Sequence, residues 1–355
     1  MIADWAERIR AFSEGLCTRF GIPGLLVDVL AWIFGAIFVL LLITVVALAA
    51  IYLERKVSGY IQSRLGPMRV GPIGLFQTPM DALKLLEKED IVPRDADRFL
   101  HLLGPVLLVS ATVMMFAVIP WDVRANVGRW LDWEIGLLYL VAVSGIGMLG
   151  IVCGGWGSNN KWSLLGALRG VAQLISYEIP LVLAAMCVVL QAETLSLSQM
   201  VEQQQAGIWA WFLWRPWLML PAILLLIAGI AEVNRTPFDI PEAESELVAG
   251  FHTEYSGMKF GLFFLAEYTH LFVVGLLFAV LFLGGWASPL GGSNLPFEGL
   301  VWLNLKAWIF VLIAMWVRWT LPRLRVDQLM AMCWKLLIPA SFAALVIVGV
   351  VLMYA

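Results

Sequence analysis

Three carboxylates sit inside or at the edge of long apolar runs: Glu178 in SYEIP, Glu232 in GIAEVNR and Glu267 in LAEYTH. An ionised carboxylate in hydrocarbon is expensive, so each must be protonated, paired or in contact with water. Desolvation moves a carboxyl group toward the range where it both takes and gives a proton, as a relay requires. The alternative is that Glu178 and Glu267 only hydrogen-bond to neighbouring helices. Pro180, two residues after Glu178, removes a backbone donor and favours a kink with room for water. His270 lies one helical turn from Glu267 on the same face, where packing is the commoner role for a histidine. Glu134 and Lys306 are weaker candidates, since either can snorkel to the interface.

Two loop segments carry denser patterns. VNRTPFDIPEAESELVAGFHTEYSG holds Glu242, Glu244, Glu246 and Glu254. Pro237 and Pro241 exclude a plain helix at its start. From Glu242 onward the run is helix-compatible, so Glu242 and Glu246 are expected on one face and Glu244 on another. Such a cluster either holds protons, joining Glu232 to Glu267, or forms an acidic rim for a basic partner. The second segment is YLERKVSGYIQSRLGPMRVGPIGLFQTPMDALKLLEKED. Gly66, Pro67, Gly71, Pro72 and Gly74 impose an irregular course. Then Leu75, Phe76, Pro79, Leu83 and Leu86 alternate with Asp81, Lys84 and Glu87 at helical spacing. This predicts a helix lying in the interface plane. It either forms a groove for a long-tailed amphiphile or serves only as a surface anchor.

The elements that must position these residues are membrane helices. The chain is 61% hydrophobic and 14% charged, against roughly 25% charged in soluble domains. Apolar blocks near the ~20 residues needed to cross hydrocarbon must be helical, because lipid offers no backbone partners. An all-α polytopic bundle in a single integral membrane domain, residues 1–355, is expected. Its eight spans fall near 26–53, 98–120, 134–156, 170–192, 208–231, 259–285, 300–321 and 334–354. The fifth opens with Trp209, Trp211, Trp214 and Trp217 around Arg215, like an interfacial aromatic belt. The stretch before Leu25 contains acidic residues, and the apolar run after it is too long for a signal peptide, so it reads as a short lead-in.

Basic residues collect in the odd loops: Arg55, Lys56, Arg64, Arg69, Lys84, Lys88 and Arg94 in the first, Lys161 and Arg169 in the third, Arg235 and Lys259 in the fifth, Arg323, Arg325 and Lys335 in the seventh. The even loops hold only Arg124 and Arg129. The positive-inside rule then puts the odd loops in the cytoplasm or matrix and both termini outside. The odd loops are equally rich in acids, which topology does not require. They are either well-solvated loops or a surface that docks a partner or lines a wet cavity. A net charge of -3 gives no nucleic-acid footprint. Cys17, Cys153, Cys187 and Cys333 form no CxxC pair. With His101, His252 and His270 they suit neither zinc nor an iron–sulfur cluster, so any electrons are carried elsewhere.

At the two loops the sequence resembles a known family, the membrane subunit of respiratory complex I called the H subunit in bacteria and subunit 1 in mitochondria. Glu54 to Asp90 is similar to its ERK…Q.R.GP…G…Q…D..KL..KE signature. AEVNRTPFDIPEAESELVAGFHTEYSG is similar to its most characteristic segment. SNNKWSLLGALRG…YEIP and RWTLPRLRVDQLM…WK..LP extend the match over nearly the whole chain. The resemblance implies eight transmembrane helices where the peripheral redox arm meets the membrane arm of NADH:quinone oxidoreductase. It implies that Arg55, Lys84, Arg318 and Arg323 line a quinone cavity, with Glu54 and Asp81 at its base. It implies that Glu178, Glu232, Glu242, Glu244, Glu246, Glu254 and Glu267 form a chain of acids toward antiporter-like subunits. It implies ubiquinone or menaquinone as substrate, no metal or redox centre in this chain, and NADH, FMN and iron–sulfur clusters in partner subunits. Partners are then the peripheral-arm iron–sulfur and quinone-site subunits, the small and antiporter-like membrane subunits, and lipid. The expected location is the bacterial inner membrane rather than the mitochondrial one, with periplasmic termini. Two other readings remain. A stand-alone cation or proton transporter accounts for the buried acids but not the bipolar loops, and no internal repeat supports it. The equivalent subunit of a membrane-bound hydrogenase or related complex shares ancestry but does not use quinone. The full loop-one signature, with Arg55, Lys84 and Arg64 to Pro67, favours the quinone version.

Overall fold

The computed structural model describes residues 24–121, 134–242, 244–289, 291 and 298–354. Expectations on the N-terminal lead-in, on Arg124 and Arg129 and on the Glu244 side chain lie outside the described residues. Those residues form helices and turns with no strand among them. Six helices are long and apolar enough to cross a membrane. They are α3 (Arg98–Val118), α4 (Gly136–Gly157), α5 (Lys161–Ala192), α9 (Gly257–Phe282), α10 (Glu298–Thr320) and the combined α11 and α12 (Val326–Tyr354). α1 (Gly24–Ile61) covers the first expected span and runs past it. α7 (Pro216–Glu232) is apolar but shorter, at 17 residues. The remaining helices are short: α2 (Gln77–Glu87), α6 (Leu197–Glu202) and α8 (Glu244–Leu247).

Two boundaries differ from the expected spans for identifiable reasons. The tryptophan-rich stretch is not helical from residue 208; it makes two single turns, Ile208–Ala210 and Phe212–Trp214, and α7 starts at Pro216. Proline pushes the preceding residue out of the helical region, and Arg215 sits at φ -75°, ψ 122°. Pro216 is then at the first helical position, where its missing N–H costs nothing. α5 starts at Lys161 rather than near 170, because Asn160 caps it through a side-chain oxygen that accepts from the Trp162 N–H.

α9 is the hub. It touches α1, α3, α7 and α10, and every side chain from Leu271 to Phe282 is buried. Lipid is as apolar as leucine, so close packing and polar contacts rather than hydrophobic burial hold such helices together. At the α3–α4 crossing a Cβ on Gly104 would lie 2.9 Å from the Gly154 Cα. Prolines within helices free the carbonyl four residues earlier, and other elements take it up. Pro105 frees the His101 carbonyl, which accepts from the Tyr255 hydroxyl at 2.9 Å. Pro180 frees the Ser176 carbonyl, which accepts from Cys333 Sγ at 3.0 Å. Cys333 opens a π-helical turn, Cys333–Leu337, that joins α11 (Val326–Met332) to α12 (Ile338–Tyr354).

The segment between α7 and α9 folds back onto the bundle. Non-helical backbone at this depth survives only where protein satisfies it. Gln173 Nε2, on α5, donates to the carbonyls of Ala231 and Phe238, both at 2.7 Å. Ser163 Oγ donates to the Phe251 carbonyl at 2.8 Å, and the Leu324 N–H donates to the Pro237 carbonyl at 3.1 Å. Gly250 seats the segment: its φ is +59°, and an added Cβ would lie 1.7 Å from the Pro241 carbonyl oxygen.

Candidate functional site

The returning segment places Arg235 at the centre of a buried charge cluster. Only 4% of Arg235 is exposed. Its Nη1 donates to Glu54 at 3.2 Å, and its Nε lies 3.0 Å from Glu267 Oε1. The Nε–H direction misses the Glu267 oxygen, and Nη2 has no acceptor among the described residues. The guanidinium also stacks on Tyr268, 4.1 Å from the ring centroid, a favourable geometry for a cation. Burial opposes the charge, but Glu267, Tyr268 and Glu54 outweigh it and hold Arg235 above its ordinary range. Arg318, on α10, pairs with the other oxygen of Glu54. One carboxylate at the end of α1 therefore ties α10 and the returning segment together.

Glu267 leads into a cavity of about 60 Å³. At roughly 10–15 Å³ per site this holds about four to six waters. Glu178, Glu232, Glu242 and Glu267 all line it, with Ser144, Asn234 and His270. Glu242 meets Glu267 on one side and lies 3.9 Å from His252 Nδ1 on the other. Burial first, then the charges of Glu267 and Asp239, pushes Glu242 well above the usual carboxylate range. Burial drives His252 the other way, down to about 4, so it is neutral. The Asn234 Oδ1, His252 Nδ1 and Arg235 Nη2 atoms are buried without protein partners among the described residues. Buried polar atoms of this kind are normally satisfied by water.

The expected site residues divide. Glu54, Arg318, Glu178, Glu232, Glu242 and Glu267 converge on this cluster and cavity. Arg323 joins from the far side, donating to Asp239 at 2.8 Å. Arg55 pairs with Asp81 at 2.5 Å on a more exposed face, and Lys84 is exposed on α2 nearby. Glu246 and Glu254 do not join. Glu246 points outward and pairs with Arg169 at 2.6 Å, and Glu254 accepts from Asn160 Nδ2 at 2.5 Å. The expected shared face of Glu242 and Glu246 is absent, because the helix there is only Glu244–Leu247 and begins after Glu242. Lys306 does not snorkel. It is buried and donates to the carbonyls of Gly285 and Ala287 at 2.8 and 2.7 Å.

Sequence reasoning counts Arg235 only as a topology charge. Its position in NRTPFDIPE, a lone cation inside an acid-rich run flanked by two prolines, is the available signal. Asp239, Tyr268 and Ser144 give none, since their partners are distant in sequence.

Comparison with known proteins bears on this arrangement. The family described as NADH dehydrogenase matches residues 34–349. The H-type subunit of NADH-quinone oxidoreductase from Chlorobaculum parvum is 50% identical over 312 residues, covering 84% of this chain and 86% of that one. Its counterparts from Chlorobaculum tepidum and Geobacillus kaustophilus are 46% and 45% identical, each covering at least 96% of both chains. The chain belongs to the H-type subunit family of NADH-quinone oxidoreductase. As a member it is a multi-pass membrane component of an oxidoreductase complex, and the other subunits of that complex are its partners. No group of three or more metal-ligating side chains occurs among the described residues. The buried cluster and cavity both fall within the matched region.

Proposed function

We propose that this chain is the quinone-chamber and coupling subunit of a proton-pumping NADH:quinone oxidoreductase. The observation that carries the reading is continuity. Arg318 and Arg235 share Glu54, Arg235 also pairs with Glu267, and Glu267 opens onto a cavity lined by Glu242, Glu232 and Glu178. A charge change at the exposed end of this series is felt at its buried end, because each member is the counter-ion or neighbour of the next.

The exposed end suits a quinone. Its two carbonyl oxygens accept hydrogen bonds from cations, and Arg55, Lys84, Arg318 and Arg323 supply them, with Glu54 and Asp81 as fixed counter-charges. Its tail is apolar, and Leu75, Phe76, Met80, Leu83 and Leu86 on and beside α2 are all exposed. Electrons come from clusters held by partner subunits. On this reading the eight helices form one membrane domain, the loops bearing these charges face the cytoplasm, and the termini face the periplasm.

The acid chain in this reading narrows to Glu178, Glu232, Glu242 and Glu267. Protons either pass along it or are driven by its field; both demand a titrating carboxyl at Glu267. Glu267→Gln is expected to lower quinone-linked NADH oxidation and proton pumping together. Normal activity in an assembled complex carrying that change removes Glu267 from the mechanism. A photoreactive quinone is expected to label the first loop or the end of α1; labelling elsewhere alone overturns the chamber assignment.

A further inference from the structure

We propose that His270 is a proton-relay residue at the neck between two voids, passing protons from Glu232 to water deeper in the bundle. This rests on the acid-chain reading above and extends it. Beyond the main cavity lies a second void of about 10 Å³, lined by Leu140, Val141, Leu181, Val273 and Leu277. That is room for roughly one water. Ser144, Glu232 and His270 border both voids, and Met115 completes the neck. They are the polar groups common to the two.

The geometry at the neck suits a relay. His270 Nε2 lies 3.7 Å from Glu232 Oε1. That is beyond a direct hydrogen bond, and within the span closed by a small ring rotation or one bridging water. His270 is three residues from Glu267 on α9, so it stands between two of the four acids. The polar and titratable side chains that share its cavity are Glu232 at the end of α7, Glu267 one turn back on its own helix, Glu178 on α5, Glu242 and Asn234 on the returning segment, Ser144 on α4 and Thr112 on α3. No lysine or arginine lines either void. The deeper void is otherwise apolar, so water there has only Ser144, Glu232 and His270 to bond with.

A proton taken from Glu232 at Nε2 leaves a carboxylate behind and creates an imidazolium. Release of the Nδ1 proton to water on the other side of the neck restores the neutral ring with Nε2 still protonated, and a flip of the ring returns a bare nitrogen to Glu232 for the next proton. The carboxylate is reprotonated from the water of the main cavity. An amide side chain at position 270 fills similar space and hydrogen-bonds, but cannot carry a proton through.

The test is His270→Asn in the assembled complex, with turnover and proton pumping measured in H₂O and D₂O. Turnover should fall at least roughly tenfold, below the 10²–10⁴ of a group acting directly on reacting atoms, since water keeps a slower route. The solvent isotope effect on turnover should rise with that fall. Turnover within twofold of the parent, or a fall with no change in isotope effect, overturns the relay. If the asparagine variant does not assemble, His270→Gln provides the same comparison with the same two outcomes. Glu232→Gln distinguishes the levels. Normal turnover there overturns the acid chain itself, whereas normal turnover only in the His270 variants removes the histidine alone.

Discussion

Removing the Arg235 guanidinium is the sharpest perturbation of the cluster. At 3.0 and 3.2 Å from two carboxylates, each contact is worth about 5 kcal/mol of Coulomb attraction at an effective dielectric near 20. Desolvation offsets much of this. The measured cost of stripping one partner from a buried pair is about 3–5 kcal/mol, mainly from the charge left behind. Arg318 still pairs with Glu54, so in Arg235→Met the loss falls on Glu267. Glu267→Gln in the same chain removes that orphaned charge and should recover part of the loss. The readout is the rate at which the subunit leaves the purified complex on heating, followed on native gels. NADH oxidation with a soluble acceptor checks that the redox arm is intact. A coupling energy of at least about 1 kcal/mol is expected between the two changes, or about a fivefold difference from additivity in that rate. Strict additivity would refute the ion pair as a linked unit.

Other outcomes follow from the same geometry. His252 binds its proton only near pH 4 in the folded protein, so the unfolded chain holds more protons between that value and 6.5. Stability is therefore lost as pH falls through that window, by up to about 3 kcal/mol, and His252→Asn should flatten the acid side of a pH–stability curve. Glu242 is shifted upward, so its contribution has the opposite sign and fades as pH rises through its folded value; Glu242→Gln should flatten the alkaline side. Gly250→Ala meets both a positive φ and the Pro241 carbonyl, and should sharply reduce assembled complex on native gels, whereas Gly145→Ala, with open space around it, should not. Breaking the half-exposed Arg169–Glu246 pair with Glu246→Gln should change stability by about 0–1 kcal/mol and leave quinone-linked turnover intact; a large loss of turnover would restore Glu246 to the acid chain.

Much of this site is written in local sequence. Apolar blocks near membrane length announce the helices, and an acid inside such a block, as at Glu178 or Glu267, announces itself because few structural reasons tolerate it. What pairs with what is not local. Arg235 and Glu54 are 181 residues apart, and nothing in NRTPFDIPE says which carboxylate its cation will meet. Helical spacing also misleads where the helix is too short to apply, as between Glu242 and Glu246. Pro180 shows both sides. Its missing N–H is readable, but not the thiol of Cys333 that occupies the freed carbonyl.

Infrared difference spectroscopy of the assembled complex during quinone reduction reads the buried acids directly. Coupling through the cavity predicts a change in the protonated-carboxyl band on reduction, and its loss or reduction in both Glu232→Gln and Glu267→Gln. A complex that reduces quinone and pumps protons with no such carboxyl change, or with the same change in both variants, would contradict it.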